Sequence, residues 1–193
     1  MLSMSRKLIE LSKQDRSIKV AIVGVGKMGK GLVNQMSRIR GMIPALVINR
    51  NSQKAINALL SAGIGKEDIL VSNSLKEINY GIEKGKYVVS EYIDFAAKVN
   101  QIQAVVDATG VPEVGAKLSL DAINNGKHII MLNVEADSLV GPILYKYAKE
   151  AGVIYTGTAG DEPGAVMELY DFAVGLGFEV LAIGKGKNNP INL

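Results

Sequence analysis

Gly24-Val25-Gly26-Lys27-Met28-Gly29 has the G-x-G-x-x-G spacing, and the chemistry served by that spacing is the close approach of backbone to a pyrophosphate. The first glycine permits the tight turn, the second lets backbone reach the phosphates, and the third lets helix and strand pack closely. Lys27 and Met28 lie where the following helix begins, at its free N–H groups and positive dipole end. A glycine turn kept for packing alone is the competing explanation. About twenty residues past such a turn, NAD sites place an acid on the ribose hydroxyls. This chain has Asn49-Arg50-Asn51 there, an amide and a guanidinium that suit a 2′-phosphate, unless Arg50 is simply solvated.

Further polar groups follow other apolar runs. Asp107-Ala108-Thr109-Gly110 closes one, placing Ala108, Thr109 and Gly110 where ligands bind in open α/β sheets. Thr109 would otherwise satisfy backbone donors of a helix-initiating loop. Asn133-Val134-Glu135-Ala136-Asp137 and Thr156 to Glu162 close two more, so Asn133 is a cofactor-binding candidate and Glu135 and Asp161 are catalytic candidates. Asp161 and Glu162 could equally stabilise the start of a helix near Pro163, an effect of about 0.3 to 1 kcal/mol. Lys185 and Lys187, on glycine hinges after the last apolar run, could orient an anionic substrate or give a proton to an alkoxide. No metal-ligating motif is assigned, although oxygen ligands such as Glu135, Asp161 and Glu162 would suit Mg²⁺ or Mn²⁺. His128, the only histidine, begins a strand at the opposite edge and receives no role.

The elements that must hold these groups follow from period and punctuation. Strands are predicted at Ile18–Val23, Ala45–Ile48, Tyr87–Val89, Ala104–Asp107, His128–Asn133, Val153–Tyr155 and Phe178–Ile183. Helices are predicted at Lys27–Arg40, from Ser52 to near Gly63, at Ser74–Lys84, Tyr92–Val99, Pro112–Asn125, Pro142–Ala151 and Pro163–Leu176. The last three of the helices each carry proline near the start and glycine just past the end. Near-continuous Val/Ile strands alternating with helices define an α/β chain, a Rossmann-type doubly wound and mostly parallel sheet covered on both faces. Residues 1–17 read as a leader helix with Leu8 and Leu11 on one face, 18–184 as the dinucleotide-binding domain with an insertion at about 64–100, and 185–193 as the start of a linker.

Composition narrows the class. The 193 residues include 48% hydrophobic and 21% charged side chains with a net charge of +3, and the lysines are interspersed with acids. That excludes the basic stripe of a nucleic-acid binder. The absence of cysteine removes disulfides and thiolate chemistry and agrees with a cytoplasmic location. No apolar run approaches the length of a signal sequence or membrane span, so neither a membrane nor nucleic acid is an expected partner.

The segments VGVGKMG, VVDATGVPEVG, NGKHIIMLNVEAD, AGDEPGAVMELYDF and GKGKNNP together resemble the N-terminal part of homoserine dehydrogenase-like oxidoreductases that carry a SAF domain, a group including the deoxyxylulose phosphate reductoisomerase-like enzymes. The resemblance covers nearly all of residues 18–193. It implies use of NADP(H), with NAD possible, a small sugar-phosphate or hydroxy-acid substrate, and a homodimer built by regions that in those relatives follow this segment. Homoserine dehydrogenases proper carry an Asn-Lys pair where this chain has Asn133-Val134-Glu135, which counts against plain homoserine oxidation. The expectation is an NADP(H)-dependent oxidoreductase whose cofactor part, taken alone, lacks one wall of a substrate cleft. The alternative is a non-enzymatic dinucleotide-sensing module, which would need the glycine turn and Arg50 but not the acids and lysines at the same edge.

Overall fold

The computed structural model describes residues 4–158 and 164–184. The chain divides into two compact units, 1–157 and 158–193. In the first, the strands are β1 (Ile18–Val23), β2 (Met42–Ile48), β3 (Ile69–Val71), β4 (Tyr87–Ser90), β5 (Ala104–Asp107), β6 (His128–Met131) and β7 (Tyr155–Gly157). They form one sheet in the order β3-β4-β2-β1-β5-β6-β7, with every pair parallel. The helices between them are α1 (Met4–Lys13), α2 (Lys27–Met36), α3 (Ser52–Ser61), α4 (Leu75–Glu83), α5 (Phe95–Lys98), α6 (Pro112–Asn124) and α7 (Val134–Glu150). This is the doubly wound Rossmann architecture that the alternation of strands and helices predicts.

The pleat of β1 explains the two layers. Ala21 and Val23 belong to a core formed with Leu46, Val88, Leu118 and Leu144, whereas Val20 and Ile22 belong to one formed with Val33, Val47, Ala55 and Leu59. Successive strand side chains point to opposite faces, so a strand apolar throughout must be covered on both. Each fully buried Ile or Leu contributes about 1.5 to 3 kcal/mol, against at most about 1 kcal/mol for an exposed pair such as Lys86–Asp68. Burial, not surface charge, holds the sheet together.

Several boundaries differ from the sequence expectation. β2 begins at Met42, and its register against β1 shifts where Ile43 and Leu46 pair with Lys19 and Ala21. The extra residue accommodates Pro44 inside a central strand, where a proline without an N–H needs a bulge. Helix α7 starts eight residues before Pro142, which lies inside it. The Asn133 side chain accepts from Ala136 N at 3.1 Å and caps that earlier start. Pro142 and Ser138, whose carbonyl loses its helical partner, are both exposed. β6 correspondingly ends at Met131, and β7 starts at Tyr155.

Residues 64–100 hold one strand more than the one expected at Tyr87–Val89. They add β3 as the sheet's outer strand, and α4 returns the chain to β4 beside β2. Leader helix α1 buries Leu8, and a Cβ on Gly41, whose φ is +86°, would fall on the Leu8 carbonyl. α1 therefore docks on the turn before β2, at the amino edge of the sheet.

In the second unit, α8 spans Gly164–Gly175. The strand expected at Phe178–Ile183 is not formed. No other strand among the described residues of that unit offers it a ladder, and an unpaired strand has nothing to set against the entropy of ordering it.

Candidate functional site

The carboxyl ends of β1, β2, β4 and β5 open into a cleft of about 470 Å³. In an open parallel sheet this is the ligand edge, at the point where the chain winds first to one side and then to the other. β1 leads directly into the glycine turn. Gly24 has φ +93°, and a Cβ there would lie 2.6 Å from the Ala108 carbonyl oxygen, so only glycine fits between β1 and the loop after β5. A Cβ at Gly29 would meet the Gly24 oxygen at 2.0 Å, as expected of the glycine that lets α2 approach the turn.

Gly26 differs from both. Its φ is −70°, and a Cβ there would touch nothing within 4 Å. It lines the cleft as the N-cap of α2 without a side-chain cap, leaving backbone donors of the helix start free for a ligand. The backbone thus leaves open the space that the second glycine of the motif keeps for a pyrophosphate, and the donor set fits that group. Lys27 and Met28 are exposed on the first turn of α2.

The Asn49 side chain is divided between two backbone segments. Its Oδ1 accepts from Val25 N at 3.2 Å, and its Nδ2 donates to Asn51 O at 2.9 Å. Asn49 therefore ties the glycine turn to the loop after β2, while Arg50, exposed at the cleft, has no ion pair among the described residues.

Ala108 and Thr109 line the opposite wall, while Gly110, with φ +66°, turns the chain towards α6. Asp107 lies beneath them fully buried. Its Oδ1 accepts from Thr109 N at 2.9 Å and Thr109 Oγ1 at 2.7 Å, and its Oδ2 accepts from Asn133 Nδ2 at 2.9 Å. A buried carboxyl needs these donors, since leaving it unsatisfied is expensive. Asn133 is only 1% exposed and also donates to Val111 O. It caps α7 and holds Asp107, and it is not among the residues that line the cleft.

Among the catalytic candidates, Glu135 stands exposed in the first turn of α7 instead of in a loop. Its helical neighbour Asp137 accepts from the Tyr155 hydroxyl at 2.7 Å. Burial, and then this bond, push the tyrosine's pKa above its usual range. Asp161, Lys185 and Lys187 lie outside the described residues, as does Glu162. Among the described residues no three His, Cys, Asp or Glu side chains gather as a metal site. His128 Nδ1 accepts from Ile154 N at 3.1 Å, a structural use at the amino edge.

The sequence reading missed the wall after β4, where Glu91, Tyr92 and Asp94 line the cleft. The available signal was their position immediately after an apolar run, the criterion that found Asn49 and Ala108. Asp94 is bound by Lys117 at 2.7 Å and approached by Lys98 at 3.8 Å, and the hydrogen bond from Lys117 holds its carboxyl below the usual range. Glu91 has no such cation among the described residues.

Residues 160–193 match the family model described as oxidoreductase DRL, catalytic domain. A homoserine dehydrogenase from Pseudomonas aeruginosa is 27% identical over 139 residues, 72% of this chain and 28% of that protein. The chain thus spans under a third of that relative's length. Similar solved structures include a homoserine dehydrogenase from Thiobacillus denitrificans, 19% identical with a TM-score of 0.52 over 73% of this chain and 29% of that one. Another is the WlbA dehydrogenase from Bordetella pertussis, solved with NADH and UDP-GlcNAcA, 16% identical with a TM-score of 0.59 over 84% of this chain and 43% of that one. At these identities the structural likeness speaks for the fold alone, and the sequence matches are similarities confined to residues 160–193 and to a 139-residue stretch. Together with the glycine turn and the sheet order, they give the chain the dinucleotide-binding fold seen in those structures.

Proposed function

We propose that this chain is the cofactor-binding part of an NAD(P)-dependent oxidoreductase acting on a small keto or hydroxy substrate, phosphorylated in the preferred case. The observation that carries the reading is the open space and free backbone donors at Gly26, in a cleft flanked by the ends of β1, β2, β4 and β5. A nicotinamide dinucleotide held there supplies hydride chemistry.

The chain's own groups divide the remaining work. The turn from Gly24 to Gly29 offers N–H donors to the pyrophosphate, and Thr109 and Ala108 shape the wall across from Arg50. Arg50 is the group that would hold a 2′-phosphate, so NADP(H) is the preferred cofactor and NAD(H) remains acceptable. Glu135 would orient substrate beyond the end of β6, with Asp161 assigned the same task. Lys185 or Lys187 would donate to the developing alkoxide. The whole protein would act as a cytoplasmic homodimer. No helix among the described residues is long and apolar enough to cross a membrane.

The test is NADPH oxidation by the protein in its natural full length, offered a panel of phosphorylated ketoses and aldehydes. Saturable turnover with at least one is expected. Cofactor binding without turnover on any would instead favour the sensing module.

A further inference from the structure

The adenosine side of the cleft holds a second charged group opposite in sign to Arg50. Glu91 follows β4, the neighbour of β2 in the sheet, and both residues line the cleft. Glu91 Oε1 accepts the backbone N–H of Ser52 at 3.2 Å. Ser52 is the first residue of α3, so this N–H is one of those a helix leaves without an intrahelical acceptor, at its positive end. It is also a donor that an anion beside Arg50 would seek. The carboxylate already occupies it.

The placement of Glu91 is built by the strand that the sequence did not disclose. Asn73, just after β3, accepts through Oδ1 from Ser90 Oγ at 2.9 Å and from Glu91 N at 3.1 Å. Ser90 is fully buried, and its Oγ accepts from Tyr92 N in turn. The loop presenting Glu91 is therefore fastened on both sides. Asp94, in the same loop, is matched by Lys117 and Lys98, whereas Glu91 keeps its charge facing the cleft.

We propose that Glu91 is a cofactor-specificity residue that opposes Arg50, weakening the hold on a 2′-phosphate at the start of α3 and strengthening that on the ribose hydroxyls, so that NAD(H) stays acceptable beside NADP(H). This rests on the dinucleotide reading of the cleft. A phosphate dianion must displace or neutralise the carboxylate to reach the Ser52 N–H, while an uncharged ribose hydroxyl can donate to it. The acid that NAD sites usually carry after the second strand is absent here, since Asn49 stands in its place and is spent on backbone. A carboxylate from the next strand over supplies part of that interaction, against the preference that Arg50 sets.

The experiment is fluorescence titration of NADH and NADPH into the chain, unmodified and as E91Q, at fixed ionic strength. Glutamine keeps the length and an acceptor for Ser52 but loses the charge. The expected result is NADPH binding tightened by about tenfold with NADH unchanged or weakened. Asn73→Ala, which frees the loop without changing any charge, should move the same ratio in the same direction by less, and it decides the matter if E91Q does not fold. An unmoved NADPH/NADH ratio with both cofactors still bound overturns the role of Glu91 and leaves the cofactor reading intact. Failure of the unmodified chain to bind either cofactor overturns both.

Discussion

The backbone N–H of Val25, inside the glycine turn, donates to Asn49 Oδ1 at 3.2 Å, joining that turn to the loop after β2. Asn49→Ala removes that tie and the bond to Asn51 together, without altering charge. A hydrogen bond of this kind is worth about 0.5 to 1.5 kcal/mol, so affinity for NADH and NADPH should fall alike, by about tenfold. Paired titrations check this, and a loss confined to one cofactor would mean that Asn49 reads the ribose directly.

Arg50 should behave differently. A charge-assisted bond to the 2′-phosphate is worth about 1.5 to 3 kcal/mol, so Arg50→Ala should weaken NADPH by about tenfold to a hundredfold and leave NADH nearly unchanged. The difference should shrink as salt is added, because the side chain is exposed. Equal losses for the two cofactors would place Arg50 in solvent.

Asn133 supports the buried carboxyl of Asp107 and caps α7. Asn133→Ala removes both contributions and is expected to cost about 2 to 4 kcal/mol of stability. Urea denaturation measures it. A change below about 0.5 kcal/mol would show that water replaces the amide freely.

Tyr155 supplies the pH dependence. Burial, then the bond to Asp137 and the nearby carboxylate charges, raise its pKa in the folded chain above the ordinary value of about 10. Below pH 10 the hydroxyl is protonated in both states and its contribution is fully present. Above pH 10 the unfolded chain releases the proton first, so stability is lost as pH rises, by up to about 1.4 kcal/mol per pH unit. Tyr155→Phe should therefore be less stable at neutral pH but show a shallower alkaline loss. Parallel alkaline limbs in the two proteins would contradict the assignment.

Much of this site was legible because glycine geometry and strand ends are local signals. A Cβ would clash at Gly24 and Gly29 and meet nothing at Gly26, and Arg50, Ala108 and Thr109 line the same cleft. Asn133 was misplaced because Pro142 reads as a helix start, whereas the tertiary setting tolerates it in mid-helix on an exposed face and moves the cap to Asn133. β3 escaped notice because three residues, Ile69 to Val71, carry no measurable period and gain their structure from pairing with β4. With β3 went Asn73, and with Asn73 the reason that Glu91 faces the cleft. Long-range partners of this kind leave no trace in local spacing.

The central claim is that Gly26 keeps open the place where a dinucleotide's phosphates sit, and Gly26→Ala tests it most directly. The added methyl group meets no protein atom within 4 Å and the residue's φ of −70° suits alanine, so folding should be preserved. Gly29→Ala, whose Cβ would lie 2.0 Å from the Gly24 oxygen, should by contrast unfold at a lower temperature. Calorimetric titration of the folded Gly26→Ala chain should show NADH and NADPH affinity reduced by about tenfold or more, with an unaltered melting temperature. Wild-type affinity for both cofactors in that variant would contradict the account.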